Sequence, residues 1–132
     1  MASNSPKVIT TKNAPAPVGP YNQALLVENW LYCSGQIALN PSNNEMIGGS
    51  DVVLETQQVL SNLKAVLKAA GASFNQVIKT TIYLVDLRDF EKVNKVYAES
   101  FENGISPARA CIQVAALPKG GKVEIDCIAW LG

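Results

Sequence analysis

The sequence predicts an α+β protein in which a mixed β-sheet carries two helices on one face. Segments rich in β-branched and aromatic residues alternate with two long segments of helical periodicity. Each helical segment has a single apolar stripe, so it can cover a sheet on only one side. The chain has 132 residues, which suits one core, and we expect residues 1–132 to form a single domain.

The first half of the chain predicts three strands. The proline-rich segment at 1–20 favours extended chain and turns. Short runs of apolar and β-branched residues within and after it are typical of strands. The expected strands are Lys7–Lys12, Ala24–Glu28 and Trp30–Ala38, and a loop is expected at 40–49.

Two helices are predicted from apolar residues that recur at helical spacing. Ser50 or Asp51 is the expected N-cap of the first helix, and Gly71 is its expected stop. Asp89 is the expected N-cap of the second helix, which closes at Asn103-Gly104. The remaining strands flank this second helix and are Val77–Asp86, Pro107–Ala115 and Lys122–Leu131. The predicted order is therefore β-β-β-α-β-α-β-β.

The charge balance limits the kinds of partner. Lysine plus arginine and aspartate plus glutamate both number 11, so the net charge is zero. This balance argues against binding of nucleic acid through a broad basic face. It favours self-association, because monomers without net charge do not repel one another. The sheet face without helices also needs a cover, so both observations predict a homo-oligomer.

Residue types that are absent exclude several chemistries. The chain has no histidine, which excludes Ser-His-Asp and Cys-His catalysis and histidine-ligated zinc. The three cysteines form no C-x-x-C pair and suit a reducing compartment, and Cys33 and Cys127 are interpreted as core residues. The N-terminal sequence has no signal-type apolar segment, and no run approaches the length of a membrane span. We therefore expect a cytoplasmic protein.

Strand alternation separates polar from apolar residues on the last two strands. On the first of them, Arg109 and Cys111 lie opposite the small residues that suit packing under helices. On the second, Glu124 and Asp126 lie opposite an apolar set. We expect the polar groups of both strands on the face away from the helices. They can form a ligand site or a structural salt bridge at a subunit contact, and the pattern alone favours the salt bridge.

Other positions interrupt otherwise regular segments. Ser34-Gly35 places a hydroxyl and a glycine in an apolar strand. A strand glycine marks a bulge, a close ligand or tight packing, and the pattern favours packing. Gly19-Pro20-Tyr21 offers a rigid turn followed by a phenol, and Asn94 is interpreted as a surface residue of the second helix.

Taken together, these segments resemble the RidA (YjgF) family of reactive-intermediate deaminases. The resemblance covers nearly the whole chain. It is carried by Pro107–Cys111, Val114–Lys119 and Val123–Ile125, with support from Gly19-Pro20-Tyr21, Ser34-Gly35-Gln36, Lys79-Thr80-Thr81 and Val93-Asn94. Two positions depart from the family pattern. Ser106 replaces the usual phenylalanine, and Asp126 replaces a commoner glutamate, which we expect to be neutral.

The resemblance implies a chorismate-mutase-like α+β fold, assembled as a homotrimer with ligand sites in the clefts between subunits. The implied activity is hydrolysis of reactive 2-imino and enamine acids, such as 2-iminobutanoate and 2-iminopropanoate, to 2-oxo acids and ammonia. No metal or cofactor is implied. Two alternatives stay open: an endoribonuclease or translation inhibitor, against which the charge balance argues, and a non-catalytic small-acid-binding or chaperone-like protein.

The resemblance also implies roles for individual residues. Arg109 is implied to bind the substrate carboxylate through both arms of its guanidinium. Glu124 is implied to orient or activate the attacking water. Tyr21 is implied to close the cleft and to offer its hydroxyl. The implied substrate-binding groups are the backbone around Ser34 and Gly35, the backbone at Cys111, and the side chains of Asn94 and Arg109.

Overall fold

The computed structural model describes residues 5–132, which form six strands and two α-helices. The strands are β1 (Lys7–Ile9), β2 (Ala24–Val27), β3 (Trp30–Gln36), β4 (Val77–Leu84), β5 (Ala108–Gln113) and β6 (Val123–Trp130). The helices are α1 (Val52–Ala69) and α2 (Phe90–Glu99). The predicted order and the α+β class are confirmed. The first four positions of the predicted proline-rich segment lie outside the described residues.

The strands form one mixed sheet in the order β1-β2-β3-β6-β4-β5. Neighbouring strands pair antiparallel, except β4 and β5, which are parallel. Parallel neighbours need a crossover connection, and α2 supplies it between these two strands. This topology leaves β5 at one edge of the sheet and β6 in its interior.

The core lies between the sheet and the two helices. Alternate residues of β6 face it and are buried, as strand alternation predicts: Val123, Ile125, Cys127 and Ala129. The apolar stripe of α1 packs on the same side and includes the fully buried Leu63 and Leu67. Burial of each such leucine contributes about 1.5–3 kcal/mol. The β6 alternation therefore fixes which side chains of this strand face away from the helices, among them Glu124.

Two cysteines belong to this core. Cys33 and Cys127 lie opposite each other on β3 and β6, and both are buried with free thiols. A hydrogen bond between the two thiols, together with burial, raises the pKa of Cys127 far above that of an ordinary thiol. The interpretation of both as core residues is confirmed.

The first helix begins and ends where the sequence predicts. The Asp51 carboxylate accepts the backbone N–H groups of Val53 and Leu54, at 2.9 and 3.3 Å, and so acts as the N-cap. Gly71 follows the last turn with a φ of +78°, a left-handed conformation that favours glycine. Within residues 5–132, neither helix has both the length and the hydropathy that a membrane crossing requires.

The second helix begins where the sequence predicts but ends earlier. Asp89 occupies the predicted N-cap position, although its side chain makes no capping hydrogen bond. Instead, the Asp86 carboxylate accepts the backbone N–H of Arg88 at 2.9 Å and starts a short 3₁₀ turn ahead of the helix. The helix ends at Glu99 rather than at Asn103-Gly104. Apolar spacing overestimated its length because a buried phenylalanine follows the last helical turn.

Two strands, β1 and β3, end earlier than predicted, because buried side-chain amides bind the backbone just beyond them. Beyond β1, the backbone N–H of Thr11 donates to Gln23 Oε1 at 2.7 Å. Beyond β3, Asn62 Nδ2 donates to the carbonyl groups of Ile37 and Leu39, at 3.2 and 3.0 Å. At both places these amides, and not a neighbouring strand, make hydrogen bonds to the backbone. The chain therefore leaves the sheet there.

The sheet face away from the helices is exposed and largely apolar. We call it the open face; its exposed large side chains include Trp30, Tyr32, Ile112 and Trp130, each between 41 and 49% exposed. The rings of Trp30 and Trp130 lie 6.4 Å apart. The prediction that one sheet face lacks a helical cover is confirmed.

Candidate active site

A cavity of about 390 Å³ lies where β3 and β6 meet the segment that precedes β2. Four of the predicted site residues line it: Tyr21, Ser34, Gly35 and Glu124. Lys119, from the turn before β6, lines it as well. The cavity therefore brings together a phenol, an alcohol, an ammonium group and a carboxylate from separate parts of the chain.

Glu124 is half-buried on β6 and lines this cavity. Burial raises the pKa of its carboxyl group, and the negative charge of Asp126 raises it further. A carboxylate whose pKa is raised is a stronger base when it is ionised. Glu124 is therefore suited to accept a proton from a water molecule in the cavity.

Gly35 makes room for the Glu124 carboxylate. A Cβ atom at position 35 would lie 2.9 Å from the carboxyl carbon of Glu124, closer than real side chains approach. The pairing of β3 with β6 shifts between Cys33 and Gln36, so the glycine lies in an irregular part of the strand. The glycine thus serves the cavity, whereas the sequence pattern favoured a packing role.

Asp126, which the sequence places on the same face as Glu124, acts on the Glu124 carboxylate. It lies two residues after Glu124 on the same face of β6 and accepts the Tyr83 hydroxyl at 2.9 Å. This hydrogen bond is the main reason why the pKa of Tyr83 is raised. Strand alternation was a sufficient signal, because it places Asp126 beside Glu124.

The hydroxyl groups of the cavity already have backbone partners. Tyr21 Oη accepts the backbone N–H of Val18 at 3.3 Å, and Ser34 Oγ donates to the carbonyl of Asn22 at 2.6 Å. Ser34 Oγ can therefore accept a further hydrogen bond from a ligand. The backbone N–H of Ser34 donates to the carbonyl of Gln23 at 2.9 Å. That N–H is consequently occupied within the chain.

Gln23, which sequence reasoning missed, holds one wall of the cavity. Its side chain is buried (3% exposed). Its Nε2 donates to the carbonyl groups of Thr11, Ala14 and Pro15, at 3.0, 3.3 and 2.9 Å. Pro15 lines the cavity. These contacts join residues 8 to 12 positions apart, so no local sequence pattern indicates them.

Arg109 does not share a face with Glu124. Thr80 of β4 pairs with both Arg109 and Cys127, and their side chains lie on the helix side of the sheet. Glu124 pairs with Tyr83, which lies on the other side. The expectation that the polar groups of both last strands face away from the helices is therefore wrong for β5. Because β5 is an edge strand, the charged head of its arginine stays in solvent although it lies on the helix side.

Residues of α2 surround the Arg109 guanidinium. Asn94 Oδ1 accepts a hydrogen bond from Arg109 Nη1 at 2.5 Å. The rings of Phe90 and Tyr97 lie with their centroids 5.4 and 5.1 Å from Arg109 Cζ. A second cavity of about 460 Å³ is lined by Asn94, Tyr97, Ser106 and Arg109. Asn94 is thus a partner of the arginine rather than an unengaged surface residue.

Cys111 lies two residues after Arg109 and packs partly against the core. Burial raises the pKa of its thiol, and the charge of Arg109 offsets only part of this effect. The thiol is therefore protonated at neutral pH, which makes it a poor nucleophile.

The predicted site residues thus fall into two groups on opposite sides of the sheet. We call the first the carboxylate half; it consists of Tyr21, Ser34, Gly35 and Glu124. We call the second the arginine half; it consists of Asn94, Arg109 and Cys111. The carboxylate half can exchange protons with water, and the arginine half can bind an anion through two parallel hydrogen bonds. Fold and site together define an α+β protein with an exposed arginine on one side of its sheet and a half-buried carboxylate on the other.

Comparison with known protein families identifies the chain further. The family model described as Endoribonuclease L-PSP matches residues 11–131. Because this match spans most of the chain, the protein belongs to that family. Solved structures of Rid proteins share its fold, so the RidA-type resemblance predicted from the sequence is confirmed.

Individual relatives are similar over almost their full length. The 2-iminobutanoate/2-iminopropanoate deaminase of Mus musculus is 50% identical over 132 residues, which are 100% of this chain and 96% of the mouse protein. A Rid-family protein of unknown function from Yersinia pestis has a TM-score of 0.92 and 44% identity, covering 96% of this chain and 99% of that one. Escherichia coli TdcF, solved with bound serine, has a TM-score of 0.91 and 39% identity, with coverage of 96% and 99%.

Proposed function

We propose that this protein is a deaminase that hydrolyses 2-iminobutanoate and 2-iminopropanoate to the corresponding 2-oxo acids and ammonia. Full-length relatives at 46–50% identity carry that activity in their names. The observation that carries the proposal is the half-buried Glu124 carboxylate, whose pKa is raised and which lines an accessible cavity. Imine hydrolysis needs one base that can take a proton from water, and the chain has no histidine for that task.

The reaction proceeds in two steps. A water molecule attacks the electrophilic carbon of the C=N bond, and Glu124 takes one proton from it. The resulting carbinolamine then collapses: Glu124 returns its proton to nitrogen, the C–N bond breaks and ammonia leaves, and the carbinol hydroxyl gives its proton to the Glu124 carboxylate as the C=O bond forms. Ser34 Oγ, which already donates to a backbone carbonyl, accepts a hydrogen bond from the iminium N–H and so orients the C=N group.

Arg109 binds the substrate carboxylate through its planar guanidinium fork. A 2-imino acid has a carboxylate directly beside its C=N carbon, so two parallel hydrogen bonds fix that carbon in space. The positive charge also attracts the carboxylate of the substrate and of the 2-oxo acid product, but not ammonia. Serine, which was found in the Escherichia coli relative, carries the same carboxylate group.

A complete site then requires two copies of the chain. The carboxylate half and the arginine half belong to different cavities on opposite sides of one sheet. An assembly in which the arginine half of one copy faces the carboxylate half of the next unites them. The exposed open face and the zero net charge support such an assembly. A cyclic homotrimer with three identical clefts, as the resemblance implies, satisfies this arrangement.

The three cysteines Cys33, Cys111 and Cys127 are free thiols. Thiols persist in the reducing cytoplasm and are oxidised more readily outside it. We therefore assign the reaction to the cytoplasm, where enzymes that eliminate water from amino acids release such imines.

A coupled assay tests the activity. Threonine dehydratase releases 2-iminobutanoate, and the formation of 2-oxobutanoate is followed with and without this protein. The wild type is expected to accelerate product formation. Arg109→Lys is expected to reduce kcat/KM about 10- to 100-fold, because lysine cannot form the two-point contact.

Arg88→Lys is the matched control for this assay. The chain has only two arginines, and Arg88 is solvent-exposed and paired with Asp86 at 2.8 Å. The control is expected to keep wild-type activity. Full activity of Arg109→Lys would rule out the assigned role of Arg109, and a wild type without any acceleration would rule out the function.

The family description names an endoribonuclease, so RNA cleavage is the competing outcome. RNA cleavage that co-purifies with the protein and disappears in Glu124→Gln would favour it. The zero net charge argues against it, because affinity for RNA rests largely on neutralised phosphates.

A further inference from the structure

One face of α2 forms a cradle for the Arg109 guanidinium. Phe90, Asn94 and Tyr97 follow one another at spacings of four and three residues, so they lie on one side of the helix. Asn94 Oδ1 accepts a hydrogen bond from Arg109 Nη1. The two aromatic rings stand 5.4 and 5.1 Å from Arg109 Cζ. We call these three residues the α2 cradle.

The cradle is anchored in the core through Tyr97. The Tyr97 side chain is buried (6% exposed), and its hydroxyl is 2.7 Å from Thr80 Oγ1. Thr80 is the residue of β4 that pairs with Arg109 on β5. The hydrogen bond therefore links Tyr97, whose ring lies beside the guanidinium, to the residue of β4 whose backbone pairs with that of Arg109.

The arginine itself has no such anchor. Its side chain is exposed on an edge strand, and a free arginine side chain loses considerable rotamer entropy when it is fixed. A guanidinium stacked on aromatic faces is held in one plane before a ligand arrives. The entropy is then lost during folding rather than during binding, which strengthens binding.

We infer that Phe90 and Tyr97 are positioning residues that hold the Arg109 fork ready for a carboxylate. This inference extends the proposed function, since it explains how an exposed arginine becomes a selective receptor for 2-imino and 2-oxo acids. Asn94 fixes the rotation of the fork, and the two rings fix its plane. The cradle acts only through Arg109.

The order of the guanidinium can be measured without any substrate. Because the chain contains two arginines, its ¹⁵Nε spectrum has two signals, which Arg88→Lys and Arg109→Lys assign. In the wild type, the heteronuclear NOE of Arg109 Nε is expected to be that of an ordered group. Phe90→Leu is the principal variant, because Phe90 is less buried than Tyr97. It is expected to lower that NOE and to weaken binding of 2-oxobutanoate about 3- to 10-fold.

Phe74→Leu is the matched control. Phe74 packs edge-on against Phe101, with ring centroids 5.2 Å apart, and Phe101 packs against Tyr97 at 4.7 Å, so two rings separate Phe74 from the guanidinium. The same ring is lost, so the control is expected to change neither the NOE of Arg109 Nε nor the affinity for 2-oxobutanoate.

Each outcome decides the inference separately from the proposed function. A lower NOE with weaker 2-oxobutanoate binding supports it, even if the wild type turns out not to hydrolyse imines. An unchanged NOE in Phe90→Leu overturns it, even if hydrolysis is confirmed. Weaker binding of 2-oxobutanoate in Phe90→Leu without a lower NOE also overturns it. An equal effect of Phe74→Leu overturns it as well. In both cases the phenylalanine would support the fold and not the arginine.

Discussion

Glu124 owes its chemistry to its surroundings. Burial and Asp126 raise its pKa, and Gly35 leaves the space that its carboxylate occupies. Arg109 depends on its surroundings in the same way, through the ring faces and the amide of α2. Gly35 comes from β3 and the partners of Arg109 from α2, whereas Asp126 lies on the same strand as Glu124.

The raised pKa of Glu124 predicts the acid limb of the pH–rate profile. A general base must be ionised, so kcat/KM rises with pH through the pKa of Glu124, above the ordinary glutamate value of about 4.3. Asp126→Asn removes one of the two causes of the shift. The limb is therefore expected to move to lower pH while staying above the ordinary value, because burial remains.

The exposed Glu102→Gln is the control for this profile and should leave the limb in place. Glu124→Gln should remove both the limb and the activity. A limb that stays unchanged in Asp126→Asn would show that another group titrates in the rate-determining step.

On the scale of secondary-structure elements, β3 and β6 depend on one close contact, between Gly35 and the carboxyl group of Glu124. Gly35→Ala is expected to destabilise the fold by about 1–3 kcal/mol, as for other overpacked sites, and to lower kcat/KM by displacing the Glu124 carboxylate. Denaturant unfolding and the coupled assay measure the two effects. In a Glu124→Ala background the same change should destabilise far less, since the colliding carboxyl group is gone. Equal destabilisation in both backgrounds would disprove the steric explanation.

The segment before β2 depends on Gln23. Gln23→Leu leaves backbone groups of Thr11, Ala14 and Pro15 without their side-chain partner. The expected destabilisation is about 1–3 kcal/mol. Faster amide exchange in 11–18 and a higher KM should accompany it, because this segment forms a wall of the cavity. Gln57→Leu, at an exposed helix position, should change neither the stability, nor the amide exchange of 11–18, nor the KM. If it changes them, the effect of Gln23→Leu does not come from its lost hydrogen bonds.

What the sequence could predict at this scale depends on the range of the interactions. The Asp51 cap and the β6 alternation involve residues only a few positions apart, and both predictions are confirmed. The hydrogen bonds of Gln23, and the contact between the α2 cradle and Arg109, join distant segments of the chain. Local sequence patterns therefore do not indicate them. The side chain of Arg109 was assigned to the wrong face because alternation separates two faces without saying which one meets the helices.

On the scale of the whole molecule, the sheet carries the carboxylate half on one face and the arginine half on the other. Neither half has the full chemistry of imine hydrolysis, since one lacks the anion receptor and the other lacks the base. The exposed tryptophans and Tyr32 of the open face, together with the free edge of β5, offer surface for a neighbouring copy. The proposed activity therefore requires an interface between copies of the chain.

A mixture of two inactive variants shows whether the site is shared between copies. Arg109→Ala and Glu124→Gln are each expected to be inactive when assembled alone. Co-assembled in equal amounts, they should recover about one quarter of wild-type activity, because one in four randomly formed interfaces pairs an intact Arg109 with an intact Glu124. A mixture that stays inactive although the subunits have exchanged would contradict the shared site.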